Sequence, residues 1–417
     1  MDRVAHLLFA LAAFVGLSAG DLSAKAAPER PTLIVISIDG FRADYIDRGL
    51  TPTLSALAKT GVHAVAMRPS FPSVTEPNHY TLMTGLYPDH HGIVDNTMID
   101  PTMPGLNFGG PHEKGMDNDP RWWNGAVPLW VTAQRRGLKT ASSFWPGDEA
   151  VVHGVAPTYL QAYPKPVPVL MPMETQIDMV LGWMSLAAAQ RPALIRLHLD
   201  PVDTVGHVLG PDSSGLRPSI SKVDAMLAKL IAGLKARDLD DKVNIIIVSD
   251  HGMTTVSPDR VILLDDVIDL KNATVPAMLA AAGINPAPGH EAEIAAALLK
   301  PHDHMTCWRK ADIPTRLHYG TNSRVAAILC LADLGWTVAT RAGLAAIPIT
   351  LRGNHGYNPA EPTMAALFVA HGPAFKSGVT LPAFDNIDVY SLLTKVMGIR
   401  PEPNDGNIKA LAAGLKP

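Results

Sequence analysis

Seven side chains able to bind hard or borderline metal ions are spread along this chain: Asp39, Thr75, Asp203, His207, Asp250, His251 and His355. Apolar, β-rich runs directly precede three of these groups: residues 33–38 before Asp39, 194–199 before the 200–207 loop, and 244–249 before Asp250 and His251. Open α/β sheets bind ligands outside the carboxyl ends of their strands, so the pattern predicts one shared site. Mixed nitrogen and oxygen donors favour Zn²⁺ over Mg²⁺ or Ca²⁺, with Mn²⁺ and Fe compatible. Two such ions about 4 Å apart suit an in-line displacement at phosphorus, where attacking and leaving oxygens both need stabilising. A two-metal hydrolase is the leading expectation.

Each group alone has an ordinary reading beside the chemical one. Asp39-Gly40 is also a turn dipeptide, and Asp203 and His207 are a pair that surfaces often carry. With Gly206 between them, a turn or a first helical turn can aim both at one ion. Asp250-His251-Gly252 is sharper: an apolar strand ending in two polar groups puts them at a buried edge, where a cation would satisfy them. Asn354-His355-Gly356 supplies the third imidazole. For a nucleophile, residues 70–80 offer several hydroxyls just before a helical pattern at 80–85. Thr75 sits where the chain turns into that helix, whose N-terminus favours an anionic phosphoryl group. A threonine at such a place is also an N-cap, and on pattern alone capping is the stronger reading.

Positioning these groups requires a scaffold, and the hydrophobic periodicity describes one. Strand-like runs at 33–38, 140–144, 193–199, 244–249 and 365–370 alternate with helical patterns at 53–60, 129–136, 175–190, 220–235 and 387–397. Such alternation predicts an α/β fold, a mostly parallel central sheet with helices on both faces. Residues 264–350 differ, with short strand candidates, an Ala-rich helix at 290–299 and both cysteines. They read as a small inserted α+β subdomain within a core of 30–263 and 351–417. Stretches 96–124 and 151–173, rich in Pro, Gly and Asn, are expected as long loops beside the site.

Hydrophobic residues make up 47% of the 417-residue chain, enough for an ample core, and the formal charge of −4 carries no Lys/Arg cluster. No nucleic-acid-binding surface and no protein partner is evident. Residues 1–26 have the layout of a cleaved secretory signal, and their apolar run at 7–19 is too short to span a bilayer. No second long apolar run follows, so a periplasmic or secreted protein without a stable membrane span is expected. In an exported chain Cys307 and Cys330 read as a disulfide contributing about 3 kcal/mol, the alternative being two unpaired buried thiols.

Several motifs occur together and in order over nearly the whole chain after the leader. They are Asp39-Gly40-Phe41-Arg42, the block from Phe71-Pro72 to Thr84-Gly85, His91-Gly92-Ile93-Val94-Asp95-Asn96, Trp145-Pro146-Gly147, Asp203 to His207, Ser249-Asp250-His251-Gly252 and Gly353-Asn354-His355-Gly356. Together they resemble the nucleotide pyrophosphatase/phosphodiesterase family of the alkaline phosphatase superfamily, in an exported bacterial member. The resemblance implies an alkaline phosphatase-like fold and hydrolysis of phosphodiester or phosphoanhydride bonds through a phospho-threonine at Thr75. It implies that Asn96 donates to a non-bridging phosphoryl oxygen. One zinc is implied at Asp39, Thr75, Asp250 and His251, and a second at Asp203, His207 and His355.

One position departs from the family. Relatives that act on nucleotides commonly carry an aromatic directly after the nucleophile, and here Glu76 stands there. A carboxylate has no stacking face and repels a further phosphate. A small-molecule diester with a choline-type or glycerol leaving group therefore stands beside a nucleotide as the expected substrate. Trp145, Tyr159 and Tyr163 are candidate walls of the substrate site. A phosphomonoesterase would want an additional cation for the extra phosphate charge, and Arg42 reads rather as a structural ion-pair partner. A catalytically silent metal-binding protein would be expected to have lost a ligand or the nucleophile, and all are present.

Overall fold

The strand β1 (Thr32–Ile38) has all seven residues buried, as expected of an apolar, β-branched run covered on both faces. The computed structural model describes residues 31–109, 118–162, 172–347 and 349–417; the expected leader and Tyr163 lie outside them. With β1, the strands β2 (Val62–Ala64), β3 (Thr140–Ser143), β4 (Tyr159–Gln161), β5 (Leu194–Leu199), β6 (Val243–Val248), β7 (Phe368–His371) and β8 (Val379–Leu381) form an eight-stranded sheet. Its order is β8-β2-β7-β6-β1-β5-β3-β4. Only β7 runs against its neighbours; every other pairing is parallel.

Alternate residues of β1 enter different cores. Ile34, Ile36 and Ile38 pack with helices α1 (Pro52–Thr60), α4 (Met173–Met184) and α6 (Arg217–Lys235). Leu33 and Val35 share the opposite core with α2 (Thr75–Thr84), α3 (Leu129–Arg135) and α7 (Asp388–Met397). Period-2 alternation of the strand thus divides the helices between the two faces. Several boundaries differ from expectation, two of them with a visible cause. The helix expected to reach 190 ends at Met184, where Ser185 Oγ donates to Leu181 O in competition with the backbone ladder. The strand expected from 365 begins at Phe368, because 362–364 form a 3₁₀ turn and Ala366 bridges to Arg42 and Met67 instead.

Within 264–350 lies a four-stranded antiparallel sheet ordered Ala273–Ala277, Ala281–Pro286, Ile328–Ala332, Met305–Arg309. It packs with the helix Glu291–Leu298 around a third core. Cys307 faces Cys330 across this sheet, and the two form the expected disulfide, 23 residues apart in sequence. Among the described residues no helix is long and apolar enough to cross a membrane.

Polar clamps join this segment to the loop that ends in Asn96. The Asp89 carboxylate accepts hydrogen bonds from the backbone N–H groups of Gly320, Thr321 and Asn322 and from the Thr321 hydroxyl. Arg324 pairs with Asp100 at 2.7 Å and donates to the carbonyls of Gly92, Trp122 and Arg121. Removing the buried carboxylate strands several donors at once. Asp89→Ala is therefore expected to destabilise the fold by about 3 kcal/mol, read as a lower urea midpoint at unchanged slope. A midpoint equal to that of the parent would contradict the clamp.

Candidate active site

The three central strands each end in chemistry. Asp39 follows β1 and donates its N–H to Leu199 O at the end of β5 (2.9 Å). Asp250 and His251 follow β6, and Asp250 Oδ1 accepts the Gly40 N–H at 3.2 Å. Gly40 has φ +62, and a Cβ there would lie 2.9 Å from Asp203 Oδ1, so the turn after Asp39 needs glycine to admit the second carboxylate. Directly after β5 comes helix α5 (Pro201–Leu209), with Asp203 in its first turn and His207 in its last. The short strand Gly353–Asn354 pairs with Thr254–Thr255 and brings His355 to the same place.

All three imidazoles are held the same way. Nδ1 of His207 lies 2.9 Å from Gly353 O, that of His251 2.9 Å from Gly252 O, and that of His355 3.0 Å from Ser73 O. A carbonyl only accepts, so Nδ1 carries a proton and, in the neutral ring, each Nε2 presents its lone pair inward. The Nε2 atoms of His207 and His355 are 3.1 Å apart, and Asp203 lies 3.3 Å from the first and 3.6 Å from the second. His251 Nε2 is 3.1 Å from Asp250 Oδ2, 3.5 Å from Asp39 Oδ1 and 3.2 Å from the Thr75 hydroxyl.

Three buried carboxylate oxygens, Asp39 Oδ1, Asp203 Oδ1 and Asp250 Oδ2, have no hydrogen-bond donor. Charged acceptors facing lone pairs in a buried place are unfavourable without a cation among them, and this donor set fits divalent metal ions. Two ligand groups, Asp39/Asp250/His251 and Asp203/His251/His355, each have their atoms within 4.8 Å of one another, with His251 common to both.

The electrostatics carry the same strain. Burial, with Asp250, Asp203 and Asp200 nearby, raises Asp39 well above the ordinary carboxylate range. Burial also acts on Asp203 and Asp250, but it is outweighed by His207 and His355 for the first and His251 and His79 for the second, so both fall below it. Burial opposes protonation of His207 and His251, yet Asp203 and Asp250 respectively hold each above the usual imidazole value. His355, lowered by burial and by His251, drops to about 3.

Thr75 is the first residue of α2 and the N-cap position belongs to Val74, so the capping reading of Thr75 is overturned. The turn before it is fixed by Asn78, whose amide donates to Pro72 O and Val74 O while its oxygen accepts the Ser70 N–H. Asn96 Oδ1 accepts the Glu76 N–H at 3.0 Å, leaving the amide nitrogen of Asn96 to donate elsewhere. Glu76 is partly buried, with Oε2 out of contact with solvent.

The aromatic expectations fare differently. Trp145 is 1% exposed and sits edge-on to His79, so it backs the site from within the core rather than walling it. Tyr159 is level with Ile34 across the sheet, near the amino ends of the strands, with its hydroxyl donating to Gln190 O; it is no wall either. Arg42 pairs with Asp44 and Asp212, the structural role expected of it.

Two buried imidazoles in contact with the site escaped the sequence reading. His79 Nδ1 lies 2.9 Å from Thr75 O, and His198 Nε2 lies 2.9 Å from Asp39 Oδ2. Helical spacing of four residues from Thr75 could have flagged the first. A lone imidazole inside an apolar strand was the only signal of the second.

The type I phosphodiesterase / nucleotide pyrophosphatase family matches residues 33–358. A pyrophosphatase/phosphodiesterase of Schizosaccharomyces pombe is 38% identical over 386 residues, covering 90% of this chain and 78% of that protein. Ectonucleotide pyrophosphatase/phosphodiesterase family member 3 of Rattus norvegicus is 37% identical over 405 residues, covering 93% of this chain. The match takes in 44% of that relative, so the chain spans less than half its length. Among solved structures, murine ectonucleotide pyrophosphatase/phosphodiesterase 5, in an inactive threonine-to-alanine form in complex with AMP, superimposes with a TM-score of 0.87 at 35% identity. That likeness covers 93% of this chain and all of the other.

Proposed function

The chain belongs to the type I phosphodiesterase/nucleotide pyrophosphatase family, and on that premise we propose a two-zinc phosphodiesterase/nucleotide pyrophosphatase that works through a covalent phospho-threonine. The convergence of three donor-less buried carboxylate oxygens on the imidazole lone pairs and the Thr75 hydroxyl carries this reading. Asp39, Thr75, Asp250 and His251 would hold one ion, and Asp203, His207 and His355 the other. When bound, such ions supply Lewis-acid charge that lowers the pKa of a nearby hydroxyl and neutralises phosphoryl and leaving-group oxygens.

The chain's own groups do the rest. Thr75 Oγ1 gives up its proton and attacks phosphorus, forming a P–O bond as the bond to the leaving group breaks. The amide of Asn96 donates to a non-bridging oxygen, held in place by its bond from Glu76 N–H, and the N-terminus of α2 favours the anion. Water then cleaves the phospho-threonine and restores the hydroxyl. A solved relative inactivated by a threonine-to-alanine change supports a threonine nucleophile. Bis(p-nitrophenyl) phosphate is expected to be hydrolysed in preference to p-nitrophenyl phosphate, and chelator to stop both. Monoester preference, or activity that survives chelation, would overturn the reading.

Glu76 supports a second substrate class beside nucleotides, small diesters with a choline-type or glycerol leaving group. Its carboxylate, partly buried one residue from the nucleophile, disfavours a further phosphate and offers a base nothing to stack on. Glu76→Phe is expected to raise kcat/KM for p-nitrophenyl thymidine 5′-monophosphate about tenfold, mostly through KM, since stacking is worth about 1–3 kcal/mol per base. An unchanged kcat/KM would remove Glu76 from substrate selection.

The leader-like segment 1–26 supports a periplasmic or secreted protein. Segment 264–350 reads as an insertion that steadies the Asn96 loop, a reading that the bonds of Asp89 and Arg324 support.

A further inference from the structure

A buried polar layer stands directly behind the ligands. His198 lies on β5, where its register partner is Ser37 of β1, and the residue is 5% exposed. Its Nε2 meets Oδ2 of Asp39 at 2.9 Å, the oxygen opposite the donor-less Oδ1 that faces His251. The same ring makes a hydrogen bond with the backbone of Phe144. Phe144 has φ 57, a left-handed conformation that a bulky aromatic seldom adopts and that persists only where the surroundings impose it.

The turn that follows is closed from inside. Asp148 Oδ2 accepts the Ser142 hydroxyl at 2.6 Å and the Trp145 N–H at 3.0 Å, and Asp148 is itself buried. Trp145 then rests edge-on against His79, and His79 edge-on against His198, with centroids 5.0 and 4.8 Å apart. His79 in turn contacts Thr75 O and the Ser37 hydroxyl. A histidine kept only for packing would need neither a distorted backbone residue at one nitrogen nor a ligand carboxylate at the other.

We propose that His198 is a positioning residue for Asp39, fixing its carboxylate so that Oδ1 faces the metal site, with the 144–148 turn as the support. An unrestrained carboxylate can present either oxygen in several orientations; a bond to Oδ2 selects one. Partners of this kind typically contribute 10- to 100-fold in metal affinity. The inference rests on the two-metal reading above and concerns a residue that would touch neither metal nor substrate.

The test is metal affinity of the purified, stripped protein titrated with zinc and with cobalt, alongside steady-state kinetics. His198→Phe is expected to weaken affinity about 10- to 100-fold, alter the visible absorption of bound cobalt, and lower kcat with KM changed less than about threefold. His198→Gln, which keeps a donor, is expected to recover most of the loss. Parental affinity and an unaltered cobalt spectrum in His198→Phe would overturn the proposal. Should that variant fail to fold, a double-mutant cycle of His198→Gln with Asp39→Asn decides. The two effects on affinity are expected to be strongly non-additive, and additivity overturns the proposal. If the parent protein binds no stoichiometric metal, the two-metal reading falls and this inference with it; if it binds metal and the His198 variants match it, only the inference falls.

Discussion

Thr75→Ala is expected to lower kcat on bis(p-nitrophenyl) phosphate on the order of ten-thousand-fold or more, because it removes the hydroxyl proposed to make the covalent bond. The variant should fold normally. Among the described residues Thr75 Oγ1 makes one hydrogen bond, with His251 Nε2, and no helix-capping bond, so its loss costs about 1 kcal/mol or less. Metal content should be nearly unchanged, since the carboxylates and imidazoles that would hold both ions remain. Thr75→Ser keeps an oxygen and is expected to retain activity within about a hundredfold of the parent. Acid-quenched turnover examined by mass spectrometry should reveal a phosphorylated peptide containing residue 75 in the parent and none in Thr75→Ala. Residual activity above about 1% in a well-folded, metal-loaded Thr75→Ala would mean that water attacks phosphorus directly.

The parts of this site that were legible beforehand share a physical cause. Asp39, Asp250 and His251 follow long buried runs of β-branched residues, and such runs are unambiguous because a central parallel strand is apolar on both faces. Asp203 and His207 could be paired because helical spacing puts both on one face of α5. Thr75 was another matter: a threonine opening a helix reads as a cap, and only the placement of Val74 one residue earlier decides against it. His198 was hidden because a strand pattern reports burial and not what the buried side chain touches. Its partner Asp39 is 159 residues away, and no local periodicity encodes that contact. Trp145 and Tyr159 were misjudged for a related reason, since composition shows that a loop is aromatic but not whether the ring turns inward or which end of the sheet it occupies.

Stripping the metal is expected to abolish turnover and also to lower Tm, by an amount that grows with pH. Asp39 is held above the ordinary carboxylate value by burial and by Asp250 and Asp203. Its protonated form therefore contributes stability that is complete below about pH 4, the unfolded value, and is lost as pH rises through the raised one. His207 and His251 behave alike: their contribution is complete below about pH 6.5 and disappears as pH rises through their elevated values. Asp203 and Asp250 act in the opposite sense, their contribution being lost only as pH falls through depressed values far below neutrality. His355, at about 3, stays neutral throughout. Between about pH 5.5 and about pH 8 the folded, stripped protein therefore still carries protons on Asp39, His207 and His251 that zinc must displace, and zinc, competing for the same atoms, binds more tightly as pH rises. The Tm gap between zinc-loaded and stripped protein should be small near pH 5.5 and reach roughly 5 °C or more near pH 8 in scanning calorimetry. Re-adding zinc, but not magnesium, should restore both Tm and hydrolysis, because three imidazole donors suit zinc and an oxygen-seeking ion does not. A gap that stays constant or shrinks with rising pH would mean that cations do not replace the protons on Asp39, His207 and His251.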